Sequence, residues 1–276
     1  MATSRTTGTT PDEKERATPA RPRSYGRGEP AWIELSVRDT ERAAGFYRRL
    51  FGWEHNRPAG ERMSFGVLEG ERVAGFRPMS DDDRGSARWS VYLATQDLEG
   101  TVTAAESAGA TVLVAPRSAS SWGRLAIVSD PTDGEVGLWE AEILKGVQAA
   151  PGNGTPVWFE LASADHDAAV DFYTDVLDWE CRELERDEAG DGDGTYTVLG
   201  DAPDGGAGIT GLPTGSEDRS HWSVYFGTPD TDASVRRVVE IGGAVVSEPR
   251  DTPHGRLAAV ADDQGGVFHL MGPTSD

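Results

Sequence analysis

One stretch of this chain occurs twice, and a repeat constrains the architecture before any local assignment is made. Trp32-Ile33-Glu34-Leu35-Ser36-Val37-Arg38-Asp39 is followed by Phe46-Tyr47 and Gly52-Trp53-Glu54. Trp158-Phe159-Glu160-Leu161-Ala162-Ser163-Ala164-Asp165 is followed by Phe172-Tyr173 and Asp178-Trp179-Glu180. The paired tryptophans and phenylalanines stand 126 positions apart (158 − 32, 172 − 46, 179 − 53). One register fits three separate matches, so the 276 residues divide into two domains of ordinary size.

Within each copy the patterning alternates between period two and period 3.6. Ile33, Leu35 and Val37 alternate with Trp32, Glu34 and Ser36, which predicts a strand with one aliphatic and one aromatic-polar face. Asp39 suits an N-cap, and Ala43, Phe46, Tyr47 and Leu50 make the buried stripe of a helix that Gly52 ends. Short strands follow around residues 62–68 and 72–78. The order then repeats: strand 88–94, helix 97–108 stopped by Gly109, strands 111–114, 124–129 and 135–140, with a turn at Asp130-Pro131. Each copy therefore holds two βαβββ units. Trp222-Ser223-Val224-Tyr225 and Gly255-Arg256-Leu257-Ala258 repeat Trp89-Ser90-Val91-Tyr92 and Gly123-Arg124-Leu125-Ala126 at offsets lengthened by the acidic loop 183–194. Asp191-Gly192-Asp193-Gly194 in that loop lacks the closing Glu of a calcium loop, and Gly205-Gly206-Ala207-Gly208 leads into a strand, not the helix a phosphate site needs.

Residues 1–29 read as a disordered tail without a signal-type apolar segment, 142–155 as a linker and 272–276 as a short C-terminal tail. The formal charge of −21 disfavours nucleic acid and anionic membranes as partners. No apolar run reaches the roughly 20 residues of a membrane span. The single cysteine, Cys181, fits a reducing, cytoplasmic location and reads as a packed side chain, not a nucleophile.

Tandem βαβββ units with Phe-Tyr on the first helix, Leu-Phe-Gly-Trp or Leu-Asp-Trp after it, and Asp-Pro-x-x-Gly near the close resemble the vicinal-oxygen-chelate superfamily of glyoxalases, bleomycin resistance proteins and extradiol dioxygenases. The double length is similar to the tandem, actinobacterial Cfp30B-like type. The resemblance implies an α+β fold of two glyoxalase-like domains, residues 30–141 and 156–271, each pairing its βαβββ units into a cup-shaped, half-open barrel. It also implies where enzymatic members hold a metal. Those positions fall on Trp32, Ser90 and Gly137 in the first copy and on Trp158, Ser223 and His269 in the second. An indole cannot ligate a metal, and a lone His does not hold one at useful affinity, so neither metal nor cofactor is expected.

The replacements suggest a different chemistry. Strand parity puts Trp32, Glu34, Ser90 and Tyr92 in the first cup and Trp158, Glu160, Ser223 and Tyr225 in the second, with His269 beside them. Arg124 and Arg256 are candidates for binding an anionic ligand or for pairing with the chain's many carboxylates, while Trp89 and Trp222 share the aliphatic, core-facing parity. A Trp-Tyr-carboxylate lining suits a flat, partly apolar ligand, so the first reading is a metal-free protein that sequesters or carries a small aromatic or drug-like metabolite. The second is a cofactor-independent isomerase, cyclase or lyase with Glu160 as base and His269 or Tyr225 as acid. A rearranged Glu160–His269 metal site keeps a metal-dependent lyase or dioxygenase third. The internal pseudo-symmetry fits a monomer or a homodimer.

Overall fold

The structure, a computed structural model, describes residues 23–80, 85–184, 195–199, 206–213 and 215–274. Most of the expected N-terminal tail, the Asp81–Asp83 loop, the acidic segment with its Asp191-Gly192-Asp193-Gly194 motif, Gly205 and the last two residues lie outside these. In the first domain β1 (Pro30–Val37), α1 (Thr40–Phe51), β2 (Glu54–Asn56), β3 (Ser64–Leu68) and β4 (Glu71–Pro78) form one unit. The second unit is β5 (Arg88–Thr95), α2 (Leu98–Ser107), β6 (Thr111–Ala119), β7 (Gly123–Ser129) and β8 (Glu135–Ala141). The second domain repeats the order with β9 (Pro156–Ser163), α3 (His166–Leu177), β10 (Cys181–Leu184), β11 (Tyr196–Leu199) and β12 (Ala207–Gly211). It closes with β13 (His221–Gly227), α4 (Thr231–Glu240), β14 (Ala244–Thr252), β15 (Gly255–Ala261) and β16 (Val267–Gly272).

Each helix starts on an aspartate: Asp39, Asp97, Asp165 and Asp230 accept from the backbone N–H three residues on, at 2.8–3.1 Å. These bonds satisfy amides that have no partner within the first turn. Gly52 ends α1 at a φ of 79°, where a Cβ would be strained, and its N–H returns to the Arg48 carbonyl.

The units of each domain join along β1 and β5, or β9 and β13, giving two eight-stranded sheets of identical order: β2-β3-β4-β1-β5-β8-β7-β6 and β10-β11-β12-β9-β13-β16-β15-β14. Every strand puts alternate side chains on opposite faces. The aliphatic faces of both sheets and the apolar stripes of the four helices make a single core that runs through both domains. Trp89 and Trp222 belong to it. Helix α1 lies beside α4 and α2 beside α3, so each helix meets one from the other copy.

A pair of buried hydrogen-bond relays crosses this core. Trp89 Nε1 donates to the Tyr47 hydroxyl, which donates to Asp262 of the other domain at 3.0 Å. Trp222 Nε1 donates to the Tyr173 hydroxyl, which donates to Asp130 at 2.9 Å. The remaining oxygens of Asp130 and Asp262 accept backbone N–H groups of their own turns, those of Thr132 and Gly134 and those of Gln264 and Gly266. The Phe-Tyr motif and the turn that opens on Asp130 or Asp262 and closes on the glycine four residues on are thus two ends of one domain-joining device, which explains why both recur, although only the first copy has proline after the aspartate. Burial keeps both tyrosine hydroxyls protonated, well above their ordinary pKa.

Residues 23–29 and 142–149 pack on the first domain. The Tyr25 hydroxyl donates to the Val147 carbonyl, Gly28 N–H to the Ala94 carbonyl, and Leu144 and Val147 are buried. β6 runs to Ala119, five residues beyond the expected strand, because two register irregularities let the edge continue past Pro116.

Candidate functional site: two unlike cups

The face of each sheet opposite the core is concave, and at its centre stands the glutamate two residues after the repeat's tryptophan. In the first cup β1 pairs Trp32 with Tyr92 and Glu34 with Ser90 on β5, and Glu34 with Gly75 on β4. Glu34 is only 6% exposed. Its Oε1 accepts from Arg77 Nε at 3.1 Å and more distantly from the Tyr92 hydroxyl at 3.4 Å, while a second Arg77 nitrogen donates to Ser36. Burial raises the Glu34 pKa, and the Arg77 guanidinium beside it opposes that shift.

Around this ion pair lies an aromatic wall. Trp32, Phe65, Tyr92, Leu125 and Trp139 form a cluster separate from the main core, with Met63 and Trp122 packed against it. Of these, Trp32, Met63, Tyr92, Trp122, Leu125 and Trp139 line a cavity of ≈ 420 Å³, together with Glu61, Arg62, Arg77 and Arg117. Trp139 Nε1 is committed to the Leu144 carbonyl at 2.9 Å, whereas the buried Trp122 Nε1 has no acceptor among the described residues. Gly137 lies beneath Tyr92: a Cβ there would come within 2.1 Å of the ring, so a carboxylate at that position is sterically excluded.

The second cup keeps the glutamate and changes its surroundings. Glu160 accepts from the Tyr225 hydroxyl at 2.8 Å and from the Tyr196 hydroxyl at 3.0 Å, and Trp158 Nε1 donates to Tyr196 at 2.9 Å. Burial raises the Glu160 pKa against these donors. It raises both tyrosines as well, and the neighbouring Glu160 charge adds to that. His269, opposite Tyr225 in register, stacks on its ring at 4.3 Å and 21°. Burial, with His221 and Arg250 nearby, lowers its pKa from 6.5 to about 4. A cleft of ≈ 610 Å³ runs from His269, His221 and Ser223 across the domain boundary to Trp89 and Ser90.

The structure therefore brings Glu160, Tyr225 and His269 together, and joins Trp158 to them through Tyr196. Trp32, Glu34 and Tyr92 share the first cavity. Ser90 and Ser223 stand opposite the glutamates in register but open onto the cleft between the domains. Arg124 and Arg256 take the second of their two expected readings, pairing with carboxylates. Their neighbours Leu125 and Leu257 take the concave side, so alternation turns both arginines to the helical side. There Arg124 pairs with Glu99 and Glu140, and Arg256 with Asp232 and Asp251. Each fastens a strand to the first turn of α2 or α4.

Sequence reasoning missed Arg77, Arg117, Trp122, Trp139, Tyr196 and Arg250. Trp139 was open to parity counting, two residues beyond Gly137. Arg77 and Tyr196 were not, because they reach the cups through strand registers that no local pattern encodes. The family's metal does not fit these residues. Glu34 is held by an arginine, Glu160 by two phenols, and among the described residues no group of three His, Cys, Asp or Glu side chains stands close enough to share an ion.

Two family descriptions match the chain: a glyoxalase-like domain over residues 32–138, and the Glyoxalase/Bleomycin resistance protein/Dioxygenase superfamily over residues 155–269. The chain is 33% identical over 261 residues to CFP32 of Mycobacterium tuberculosis, named as a candidate glyoxylase, covering 90% of this chain and 96% of that protein. It is 33% identical over 269 residues to the anthracycline biosynthesis protein DnrV of Streptomyces peucetius, covering 90% and 94%. Among solved structures, the Mn(II)-bound glyoxalase of Novosphingobium aromaticivorans superposes with a TM-score of 0.63 at 18% identity, covering 91% of this chain and 83% of that one. The 2,3-dioxygenase LapB of Pseudomonas sp. KL28 gives 0.62 at 15%, covering 92% and 94%. Repeat, sheet order and relatives agree: this chain is a tandem two-domain member of the glyoxalase/bleomycin resistance protein/dioxygenase superfamily.

Proposed function

We propose that the protein is a metal-free binder of a planar aromatic small molecule, held in the first cup, with a sequestering, resistance or carrier role. The observation that carries this is the wall of Trp32, Tyr92, Trp122 and Trp139 around one carboxylate paired with an arginine. Rigid aromatic rings bury a flat ligand at little cost in side-chain entropy, and the Glu34–Arg77 pair orients its polar edge. A cavity of ≈ 420 Å³ has the size of a drug-like ligand site. The relative named for anthracycline biosynthesis accords with a flat polycyclic ligand. Titrating a panel of planar polycyclic quinones and phenols against tryptophan fluorescence should give saturable quenching, weakened about tenfold or more in Trp122→Ala. No saturable quenching by any member of the panel would sink the reading.

A second reading is supported by one observation in the other cup, the placement of Glu160 between Tyr196 and Tyr225. Burial biases Glu160 toward its protonated form and so makes the carboxylate a stronger base. In an isomerase, cyclase or lyase it would remove a proton next to a carbonyl, and Tyr225 or His269 would protonate the developing enolate oxygen. Turnover of a candidate carbonyl substrate should then vanish in Glu160→Gln and His269→Ala at unchanged folding; turnover retained in both removes this reading.

A further inference from the structure

Many arginines of this acidic chain are held by a carboxylate: Arg27, Arg42, Arg57, Arg77, Arg88, Arg124, Arg237 and Arg256 each have one within 3.3 Å. Two that are not paired to any described residue occupy equivalent places in the two repeats. Arg117 on β6 stands opposite Leu125, and Arg250 on β14 stands opposite Leu257. Leu125 and Leu257 belong to the same repeated Gly-Arg-Leu-Ala segment.

Both arginines are set by the same local distortion. The β6–β7 register shifts between Val112 and Val114 and again between Val114 and Arg117. The β14–β15 register shifts between Val245 and Ser247 and again between Ser247 and Arg250. Such irregularities bend an edge strand and re-aim the side chain that follows. The result at Arg117 is a guanidinium at the first cavity, whose own carboxylate, Glu34, is already bonded to Arg77. At Arg250 it is a guanidinium whose field reaches Glu160, Tyr225 and His269.

We infer that Arg117 and Arg250 are anion-receiving residues of the two cups, and that the ligand is a planar aromatic molecule bearing a carboxylate. The inference rests on the binding reading above and narrows it. A guanidinium offers two parallel N–H groups to a carboxylate, while the aromatic wall takes the ring.

The test uses the full-length protein and two matched probes, anthracene-2-carboxylate and anthracene-2-carboxamide, followed by tryptophan quenching. The acid should bind about tenfold more tightly than the amide, and its affinity alone should fall with added salt. In the double variant Arg117→Gln/Arg250→Gln the preference for acid over amide should disappear. Arg117→Lys should retain part of it, because the charge stays while the fork is lost. Equal binding of acid and amide by the unmodified protein, or a preference that survives in the double variant, overturns the inference and leaves the binding reading standing. Saturable binding of neither probe overturns the inference, and the quinone and phenol panel then decides the binding reading.

Discussion

His269 shows at the residue scale how burial converts a titratable group into a stability term. Its folded pKa of about 4 lies below the ordinary 6.5. As pH falls from about 6.5 toward 4, the unfolded chain takes up a proton that the folded chain refuses, so stability is lost across that window. Replacing the ring by an apolar one, His269→Phe, keeps an aromatic partner for Tyr225 and removes the titration. Relative to that variant, the parent protein should lose about 2 kcal/mol between neutral pH and about pH 4.5 in urea titrations; a difference that stays flat with pH counts against the assignment. Glu160 has the opposite sign. Its raised pKa means the folded state holds its proton longer, so its contribution is present below the ordinary carboxylate range and lost as pH rises through the raised value. The identity of the cup glutamates was legible from parity alone. Their different partners, Arg77 in one cup and two tyrosines in the other, were not, because those partners arrive from other strands.

At the scale of elements, helices α1 and α3 carry the tyrosines that join the domains. Tyr47→Phe would leave Asp262 Oδ2 and Trp89 Nε1 buried without partners. A loss of about 1–3 kcal/mol is expected from each such orphaned pair, and Tyr173→Phe should cost a similar amount through Asp130 and Trp222. Chemical denaturation of both single variants and the double checks this; costs below about 0.5 kcal/mol would show that the relays are replaceable by packing. The sequence announced the first two helices and, for α1, its aspartate cap and apolar stripe. It offered Arg124 and Arg256 either to an anionic ligand or to the chain's own carboxylates, and the structure pairs them with Glu99, Glu140, Asp232 and Asp251. The edge strands β6 and β14 were the hardest to read, since their irregularities break the period-two pattern that identifies a strand.

For the whole molecule the decisive feature is that the core belongs to neither domain alone. Tyr47 packs on Phe268 and Phe51 on Phe226, while Trp53 Nε1 donates to the Gly154 carbonyl. Residues 151–276 expressed alone would expose the apolar face that these side chains cover. That fragment should not unfold cooperatively as a monomer; it should pair with a second copy, or with a co-expressed 1–150 fragment, because the two halves present equivalent faces. Light scattering of the isolated and mixed fragments measures this directly. A stable, monomeric second half with a sharp thermal transition would show that the domains fold independently.

The amino-acid sequence by itself determined the duplication, the two βαβββ units per copy, the family and the face on which Trp32, Glu34, Trp158 and Glu160 lie. Each of these follows from spacing along the chain, and spacing is what periodicity records. Only the tertiary structure decided that Glu34 meets an arginine and Glu160 two phenols, that the Phe-Tyr and Asp motifs bond to each other across the domains, and that Arg117 and Arg250 turn toward the cups. Those pairings join residues from about 40 to more than 200 positions apart, and such contacts are set by strand register and sheet order, which no local pattern specifies.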